Sequence, residues 1–169
     1  MASFGAKNPY FCKVKEEPDG KLPVYDGEPV KIGRLVKADL SITMASGKLY
    51  ADDELAESVE EFASGSLAME TDDIIDSVAS VVYGTTVEEK TVHYNTKDDP
   101  PSGGLAYYKK LMRKRKVLYK GVFHPLVKAS LGNDSASTKT DSITFGTSST
   151  TFTVFTEPHS FALSHISSR

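Results

Sequence analysis

The residues of this sequence that are best suited to chemistry are carboxylates, and they are concentrated in one short run. That run comprises Asp52, Asp53, Glu54, Glu57, Glu60 and Glu61. Paired acids can chelate a hard cation, but a calcium loop requires ligands at fixed alternate positions, a central glycine and a closing glutamate. The run lacks that order, so we predict no metal site there and interpret it as a charged surface.

The other residue types that support catalysis or metal binding are scattered. The histidines have neither zinc-like spacing nor cysteine partners; they are His93, His124, His159 and His165. The sequence contains no nucleophile elbow, glycine-rich phosphate loop or dinucleotide fingerprint. Cys12 is the only cysteine, which fits folding in a reducing cytoplasm, and we interpret it as a small core residue. We therefore predict that the protein is not an enzyme and has no catalytic residues, metal or cofactor.

The charged residues are segregated along a chain whose 169 residues are predicted to form one domain. The net charge of −3 argues against a polycation made for nucleic acid. Between Lys48 and Lys90 every charged residue is acidic: Asp52, Asp53, Glu54, Glu57, Glu60, Glu61, Glu70, Asp72, Asp73, Asp76, Glu88 and Glu89. Between Asp99 and Asp134 every charged residue is basic: Lys109, Lys110, Arg113, Lys114, Arg115, Lys116, Lys120 and Lys128.

Two interpretations of this segregation remain open. The acidic and basic segments either fold against each other within one subunit, or the acidic segment of one copy contacts the basic segment of the next. A head-to-tail contact of the second kind closes into rings or continues as a filament. No stretch is long and apolar enough to span a bilayer, so no membrane partner is predicted.

Two strand-like alternations bracket the acidic run. Residues 38–44 alternate apolar and polar side chains, and residues 65–70 alternate in the same sense. They are predicted to pair as antiparallel strands with one buried face each. The intervening residues 45–64 are predicted to form a long inserted loop, and long inserts in compact domains are typically functional or disordered.

The remaining elements predict a mainly β protein with one helix. Further strands are expected at residues 7–15, 30–36, 86–94, 105–112, 116–131, 141–147 and 149–156. A helix is predicted over 71–84, with Thr71 as its N-cap and Gly84 as its C-terminal left-handed residue. The fold class is therefore a β-sandwich or flattened barrel of two antiparallel sheets with one flanking α-helix, spanning residues 1–156. Residues 157–169 are predicted to be a flexible tail.

The order of residues around the acidic run resembles that of a known family. Leu49-Tyr50-Ala51-Asp52-Asp53 is followed by Ala56-Glu57, then by Phe62, Gly65 and Leu67, and then by an Asp-led helix. This order is similar to that of the major tail tube protein of long-tailed, non-contractile bacteriophages. The resemblance covers roughly residues 4–156.

The resemblance implies a structural virion protein. In that family a two-sheet β-sandwich with a flanking helix forms rings of six copies, and the rings stack into a hollow tube through which the genome passes. The implied partners are other copies of the chain, the tape measure, distal tail and tail terminator proteins, and DNA only in transit. The implied location is the virion tail, after assembly in the host cytoplasm.

The family pattern also implies that the insert makes contacts between subunits. Carried over to this sequence, Tyr50, Leu55 and Phe62 would be the apolar anchors of the contact. The acids Asp52, Asp53, Glu54 and Glu57 would set its register, because charged rims contribute orientation more than affinity. The complementary surface is predicted to be the basic one formed by Lys109, Lys110, Arg113, Lys114, Arg115 and Lys116.

A different function is compatible with the same basic segment. Residues 106–120 interleave tyrosines with lysines and arginines. Proteins that bind single-stranded nucleic acid use this combination to stack bases and neutralise phosphates. The acidic segment would compete for these cations, so single-strand binding is the alternative to self-assembly.

Overall fold

A computed structural model describes residues 2–18, 21–51, 54–74, 76–88, 91–93, 99–113, 116–134, 146–155 and 165–166. The one described helix is α1 (Asp76–Tyr83). The described strands are β1 (Ala2–Glu16), β2 (Val24–Tyr25), β3 (Val30–Lys31), β4 (Leu35–Ala51), β5 (Glu54–Thr71), β6 (Thr86–Glu88), β7 (Thr91–His93), β8 (Ser102–Arg113), β9 (Lys116–Asp134), β10 (Ser148–Val154) and β11 (His165–Ile166). The protein is therefore mainly β with one short helix, as predicted.

Nine of these strands belong to one antiparallel sheet that curls back on itself. Its order is β2-β1-β8-β9-β10-β5-β4, with β3 paired to β1 and β11 paired to β9. Although β1 and β4 are far apart in this order, they pack against each other, which gives the sheet the form of a flattened barrel. The strands β6 and β7 form a separate two-stranded sheet.

Residues 32–34, which connect β3 to β4, form a seam, because they hydrogen-bond to β1 on one side and to the residue after β5 on the other. The Ile32 amide donates to the Pro9 carbonyl at 3.0 Å. The Asp72 amide donates to the Arg34 carbonyl at 3.0 Å, and the Arg34 amide donates to Asp72 Oδ1 at 2.7 Å. These bonds satisfy polar groups that the two strand edges would otherwise leave unpaired.

The core fills the inside of the curled sheet. The fully buried side chains include Phe11, Leu67, Leu105, Val127 and Phe152, each from a different strand. The rings of Phe11 and Phe152 stack with their centroids 6.3 Å apart. These residues alternate along their strands with more exposed neighbours, which is the pattern of a sheet with one buried face.

The helix α1 packs on this core through an apolar face. Val78, Val82 and Tyr83 are buried, and the Tyr83 hydroxyl hydrogen-bonds to the Thr150 hydroxyl on β10. Gly84 has a φ of +68°, and its amide donates to the Ser80 carbonyl at 3.1 Å, so the predicted C-terminal residue is confirmed.

The predicted start of the helix is wrong. Thr71 is the last residue of β5 and is buried, so it does not cap the helix, which begins at Asp76. Asp72 is held at the seam instead, because its carboxylate accepts hydrogen bonds from the amides of Arg34 and Asp73. Asp72, one of the acids that favour a helix start in sequence, therefore ties the end of β5 to the segment before β4.

The other predicted elements agree with the structure to different degrees. The strand predicted over 86–94 is a short hairpin of β6 and β7. The hairpin predicted from 105–112 and 116–131 is present as β8 and β9, paired as far as Arg113 and Lys116. Most of the predicted strand 141–147 and most of the predicted tail lie outside the described residues. Within that tail, His165 and Ile166 pair with β9.

Candidate assembly surfaces

The first candidate surface is the outer part of the β4–β5 hairpin, residues 40–62, which we call the acidic ribbon. The two strands remain paired from Leu35 and Thr71 to Ala51 and Glu54. The loop predicted over 45–64 is therefore wrong, because residues 45–51 and 54–64 are paired strands. Residues 45–48 and 58–61 are exposed on both faces of this ribbon, so beyond Met44 the sequence lacks the apolar alternation by which half-buried strands are recognised.

An apolar strip runs from the core onto this ribbon. Residues paired directly across two strands share a face, and the pairs in question are Leu40 with Leu67, Ile42 with Gly65, and Met44 with Phe62. Leu67 is fully buried, whereas the exposed fractions of Leu40, Ile42 and Met44 are 39%, 44% and 51%. We define Leu40, Ile42, Met44 and Phe62 as the apolar strip. Contiguous exposed apolar surface of this kind marks interaction sites.

The predicted contact residues of the insert lie towards the tip of the same ribbon. The backbone pairs Leu49 with Glu57, Tyr50 with Leu55, and Ala51 with Glu54. The side chains of Tyr50, Glu54, Leu55 and Glu57, and the whole of Asp52 and Asp53, lie outside the described part of the structure. Phe62, the third predicted anchor, is half-buried beside Gly65.

The described acids of the ribbon are exposed. Glu60 is paired with Ser46, and Glu61 is paired with Ala45. Because faces alternate along a strand, Glu60 shares the face of the apolar strip and Glu61 lies on the opposite face. Glu60 is therefore the charge nearest to the strip, and Lys48, paired with Ser58, lies beyond it on the same face.

The second candidate surface is the hairpin of β8 and β9 between residues 106 and 120, which we call the basic hairpin. Lys109 is paired with Lys120, Lys110 with Tyr119, and Arg113 with Lys116. The Lys109 ammonium lies 5.6 Å from the centroid of the Tyr107 ring. The side chain of Arg113 and the whole of Lys114 and Arg115 lie outside the described residues. Like charges directly opposite each other destabilise a ribbon, so the hairpin favours a negatively charged neighbour.

The acidic ribbon and the basic hairpin are not paired with each other within the described residues. The ion pairs found there join Arg34 to Asp72 at 3.6 Å, Lys37 to Asp39 at 2.5 Å and Lys128 to Asp99 at 2.5 Å. In the sheet, β10 separates the ribbon strand β5 from the hairpin strand β9. The described side chains therefore give no support to the interpretation in which the acidic and basic segments fold against each other within one subunit.

A third surface, on the outer face of β1, β8 and β9, was missed by sequence reasoning. Two adjacent hollows of about 320 and 310 Å³ lie there, and Tyr10, Ala106 and Phe123 contribute to both. Tyr108 extends the first and Tyr25 the second. We call this surface the aromatic hollow.

The walls of the aromatic hollow are held in place by contacts between rings. The Tyr25 ring meets the Phe123 ring edge-on with centroids 6.1 Å apart, and its hydroxyl donates to the Pro125 carbonyl at 2.8 Å. Tyr108 meets Tyr119 edge-on at 5.6 Å. The sequence does carry a signal for this surface, because its aromatic residues stand next to buried ones on the same strand. Tyr10 precedes the buried Phe11, Tyr108 follows the buried Tyr107, and Phe123 precedes the buried His124.

Cys12 lines this hollow, so its predicted place in the core is wrong. It is half-buried, and its neighbour Phe11 takes the core position on β1. Partial burial, and secondarily the charge of Asp26, raise the pKa of the Cys12 thiol. The thiol is therefore protonated at neutral pH, which does not suit a nucleophile.

His124 is a core residue rather than a ligand. It is 2% exposed, and its ring stacks on that of Tyr107 with centroids 6.2 Å apart. Burial, and secondarily the charge of Lys109, lower the pKa of His124 below its ordinary value. Within the described ranges no three His, Cys, Asp or Glu side chains form a cluster that would hold a metal.

Neither known protein families nor curated proteins gave a match to this chain. In the part of the chain that the structure covers, no helix has the length and hydropathy needed to cross a bilayer. The acidic ribbon, the basic hairpin and the aromatic hollow are therefore the candidate functional surfaces of the described structure.

Proposed function

We propose that this chain is a structural protein that assembles with copies of itself into stacked rings, forming the tail tube of a long-tailed, non-contractile bacteriophage. The observation that carries the proposal is the apolar strip. Fully burying a Leu, Ile or Met side chain is worth about 1.5–3 kcal/mol. The exposed half of each strip residue is therefore worth about 1 kcal/mol, which a neighbouring subunit can recover.

Two different contact surfaces on one molecule favour a polymer over a symmetric dimer. The acidic ribbon and the basic hairpin are different strands of one sheet, so contact between them joins two copies head to tail. Such heterologous contacts close into rings or extend as filaments. Opposite charges on the two surfaces steer the association and suppress other arrangements.

The resemblance noted in the sequence supplies the biological setting of the proposal. Six copies would form a ring, and the stacked rings would conduct the phage genome to the host. The tape measure, distal tail and tail terminator proteins would be further partners. DNA would only pass through the lumen, and the subunit would move from the host cytoplasm into the virion tail.

Assembly of purified protein tests the proposal. Concentrated wild-type protein is expected to form annuli or tubes in negative-stain images. Reversing Asp52, Asp53 and Glu54 to lysine is expected to prevent this while the far-ultraviolet circular dichroism stays that of the folded monomer. A control reverses Glu16 and Glu17, which are exposed acids outside the ribbon. Normal tubes from the ribbon variant would contradict the role of the ribbon.

A second candidate function is the binding of single-stranded nucleic acid. The observation in its favour is the position of Tyr119, which is 41% exposed and is paired with Lys110. Its ring meets that of Tyr108 edge-on. Stacking of a base on such a ring is worth about 1–3 kcal/mol. Tight, salt-sensitive binding of oligonucleotides in a gel shift, lost in Tyr119→Ala, would favour this function. The apolar strip is left unexplained by it.

A further inference from the structure

We infer that the aromatic hollow is the site that receives the apolar strip of a neighbouring copy of this chain. The inference deepens the proposed function and rests on it, because it names the surface on which the ribbon docks. It assigns the main contact to the outer face of β1, β8 and β9, next to the basic hairpin, rather than to the lysines and arginines at the hairpin tip.

The position of the two surfaces excludes contact within one copy. The apolar strip continues the inner face of the curled sheet, because Leu40 is paired with the buried Leu67. The aromatic hollow lies on the outer face, because Tyr10 precedes the buried Phe11 on β1. The inner and outer faces of the sheet point in opposite directions, so the strip cannot reach the hollow of its own copy. Both surfaces are exposed in the single subunit.

The chemistry of the two surfaces matches, and the strip offers two neighbouring side chains to two adjacent hollows. Every second side chain of a strand points to the same side, at intervals of roughly 6.6 Å. Ile42 and Met44 are such a pair, and the two hollows are adjacent and share the walls made by Tyr10, Ala106 and Phe123. Aromatic walls favour methionine sulfur and aliphatic groups, and buried aromatic residues dominate the energy of interfaces.

The charges nearest to the strip and to the hollow that Tyr108 lines are opposite, whereas the acids Asp26 and Glu28 flank Gly27 in the other hollow. Lys7 is paired with Tyr108, and Lys110 with Tyr119, so both lysines lie on the outer face beside the hollow. On the ribbon, Glu60 follows Met44 and Phe62 on the face of the strip. This complementarity is the reason that the occupant is a second copy rather than an unrelated apolar peptide.

The single cysteine makes the contact directly testable, because Cys12 lines the hollow. In the variant Ile42→Cys, docking brings the introduced thiol of one copy next to Cys12 of another. Mild oxidation with diamide at about pH 8.5, where an exposed thiol such as the one introduced at position 42 ionises, is expected to give a ladder of covalent multimers on a non-reducing gel. Mass spectrometry is expected to identify the peptide pair that links positions 12 and 42.

Two controls define the outcome. Thr43→Cys places the thiol on the opposite face of the same ribbon, and Ile42→Cys combined with Cys12→Ser removes the receiving thiol; neither is expected to give more than dimers. A ladder from Thr43→Cys as strong as that from Ile42→Cys, or no link between positions 12 and 42 in a preparation that forms normal tubes, would overturn the docking site. In the second case self-assembly itself would stand.

Substitution of the hollow provides an independent measurement. Tyr10 is 39% exposed, so Tyr10→Ser is expected to leave the monomer folded while raising the critical concentration for assembly about tenfold. Ile42→Thr is expected to have the same effect. If Ile42→Thr impairs assembly and Tyr10→Ser does not, the hollow is not the receiving site. If Tyr10→Ser instead abolishes binding of an oligothymidine and leaves assembly intact, the hollow belongs to a nucleic-acid surface.

Discussion

Leu40 and Leu67 lie directly opposite each other on β4 and β5, yet Leu67 is fully buried while 39% of Leu40 is exposed. This pair marks the place where the core ends and the apolar face continues into solvent. Side chains on either side of it have the same chemistry but different roles. Those nearer the barrel stabilise the fold, and those further along the ribbon are available to a partner.

Substitutions on either side of this boundary are expected to separate folding from assembly. Leu67→Ala removes a fully buried side chain and is expected to lower the free energy of unfolding by about 2–5 kcal/mol. Ile42→Thr keeps a β-branched side chain at an exposed position and is expected to lower it by less than about 1 kcal/mol. Urea unfolding measures both values. A large loss of stability in Ile42→Thr would show that the strip is part of the core.

Two glycines of the paired strands are expected to respond differently to alanine. A Cβ on Gly103 would overlap the buried ring of Phe11, whereas a Cβ on Gly47 would meet no atom within 4 Å. Gly103→Ala is therefore expected to destabilise the protein by about 1–3 kcal/mol through overpacking. Gly47→Ala is expected to be neutral or slightly stabilising. Equal thermal unfolding temperatures for the two variants would contradict this packing.

The buried histidine is expected to make stability fall as the solution is acidified. The unfolded chain binds a proton at His124 near pH 6.5, whereas the folded protein binds it only at lower pH. The contribution of His124 to stability is thus complete above pH 6.5 and declines as the pH falls towards the folded pKa. His124→Phe keeps the ring beside Tyr107 and is expected to flatten this part of the pH profile. An unchanged slope between about pH 7.5 and pH 5 would contradict the assignment.

Asp72 is expected to titrate at unusually low pH. The amide of Arg34 and, to a smaller degree, that of Asp73 donate to its carboxylate and lower its pKa below 3.8. The stability that it provides at the seam is present above pH 3.8 and is lost as the pH falls through the folded pKa. Carbon-detected NMR titration of the side chain measures this pKa. A value at or above 3.8 would show that the seam hydrogen bonds do not form in solution.

The sequence predicted those elements whose residues have one buried face. The strands around Leu67, Leu105 and Phe152 have regular alternation, and Gly84 ends the helix where a left-handed residue is required. The ribbon over 45–64 could not be predicted in this way, because exposed strands carry no such pattern.

The start of the helix and the aromatic hollow were missed for another reason. The role of Asp72 depends on Arg34, and the hollow combines Tyr10 with Phe123, so each feature joins residues that are distant in the chain. The segment Ser102-Gly103-Gly104, which precedes the strand predicted over 105–112, begins β8, and the rings of Phe11 and Tyr25 occupy the space of the side chains that the two glycines lack. None of these contacts can be inferred from local sequence.

The most direct test of the central claim is negative-stain electron microscopy of the wild-type protein over a range of concentrations, with sedimentation velocity on the same samples. We expect annuli or tubes of uniform diameter above a critical concentration, and their loss in the lysine variant of Asp52, Asp53 and Glu54. A particle that sediments as a monomer at every concentration, and that forms no annuli when phage tail-tip proteins are added as a nucleus, would contradict the claim.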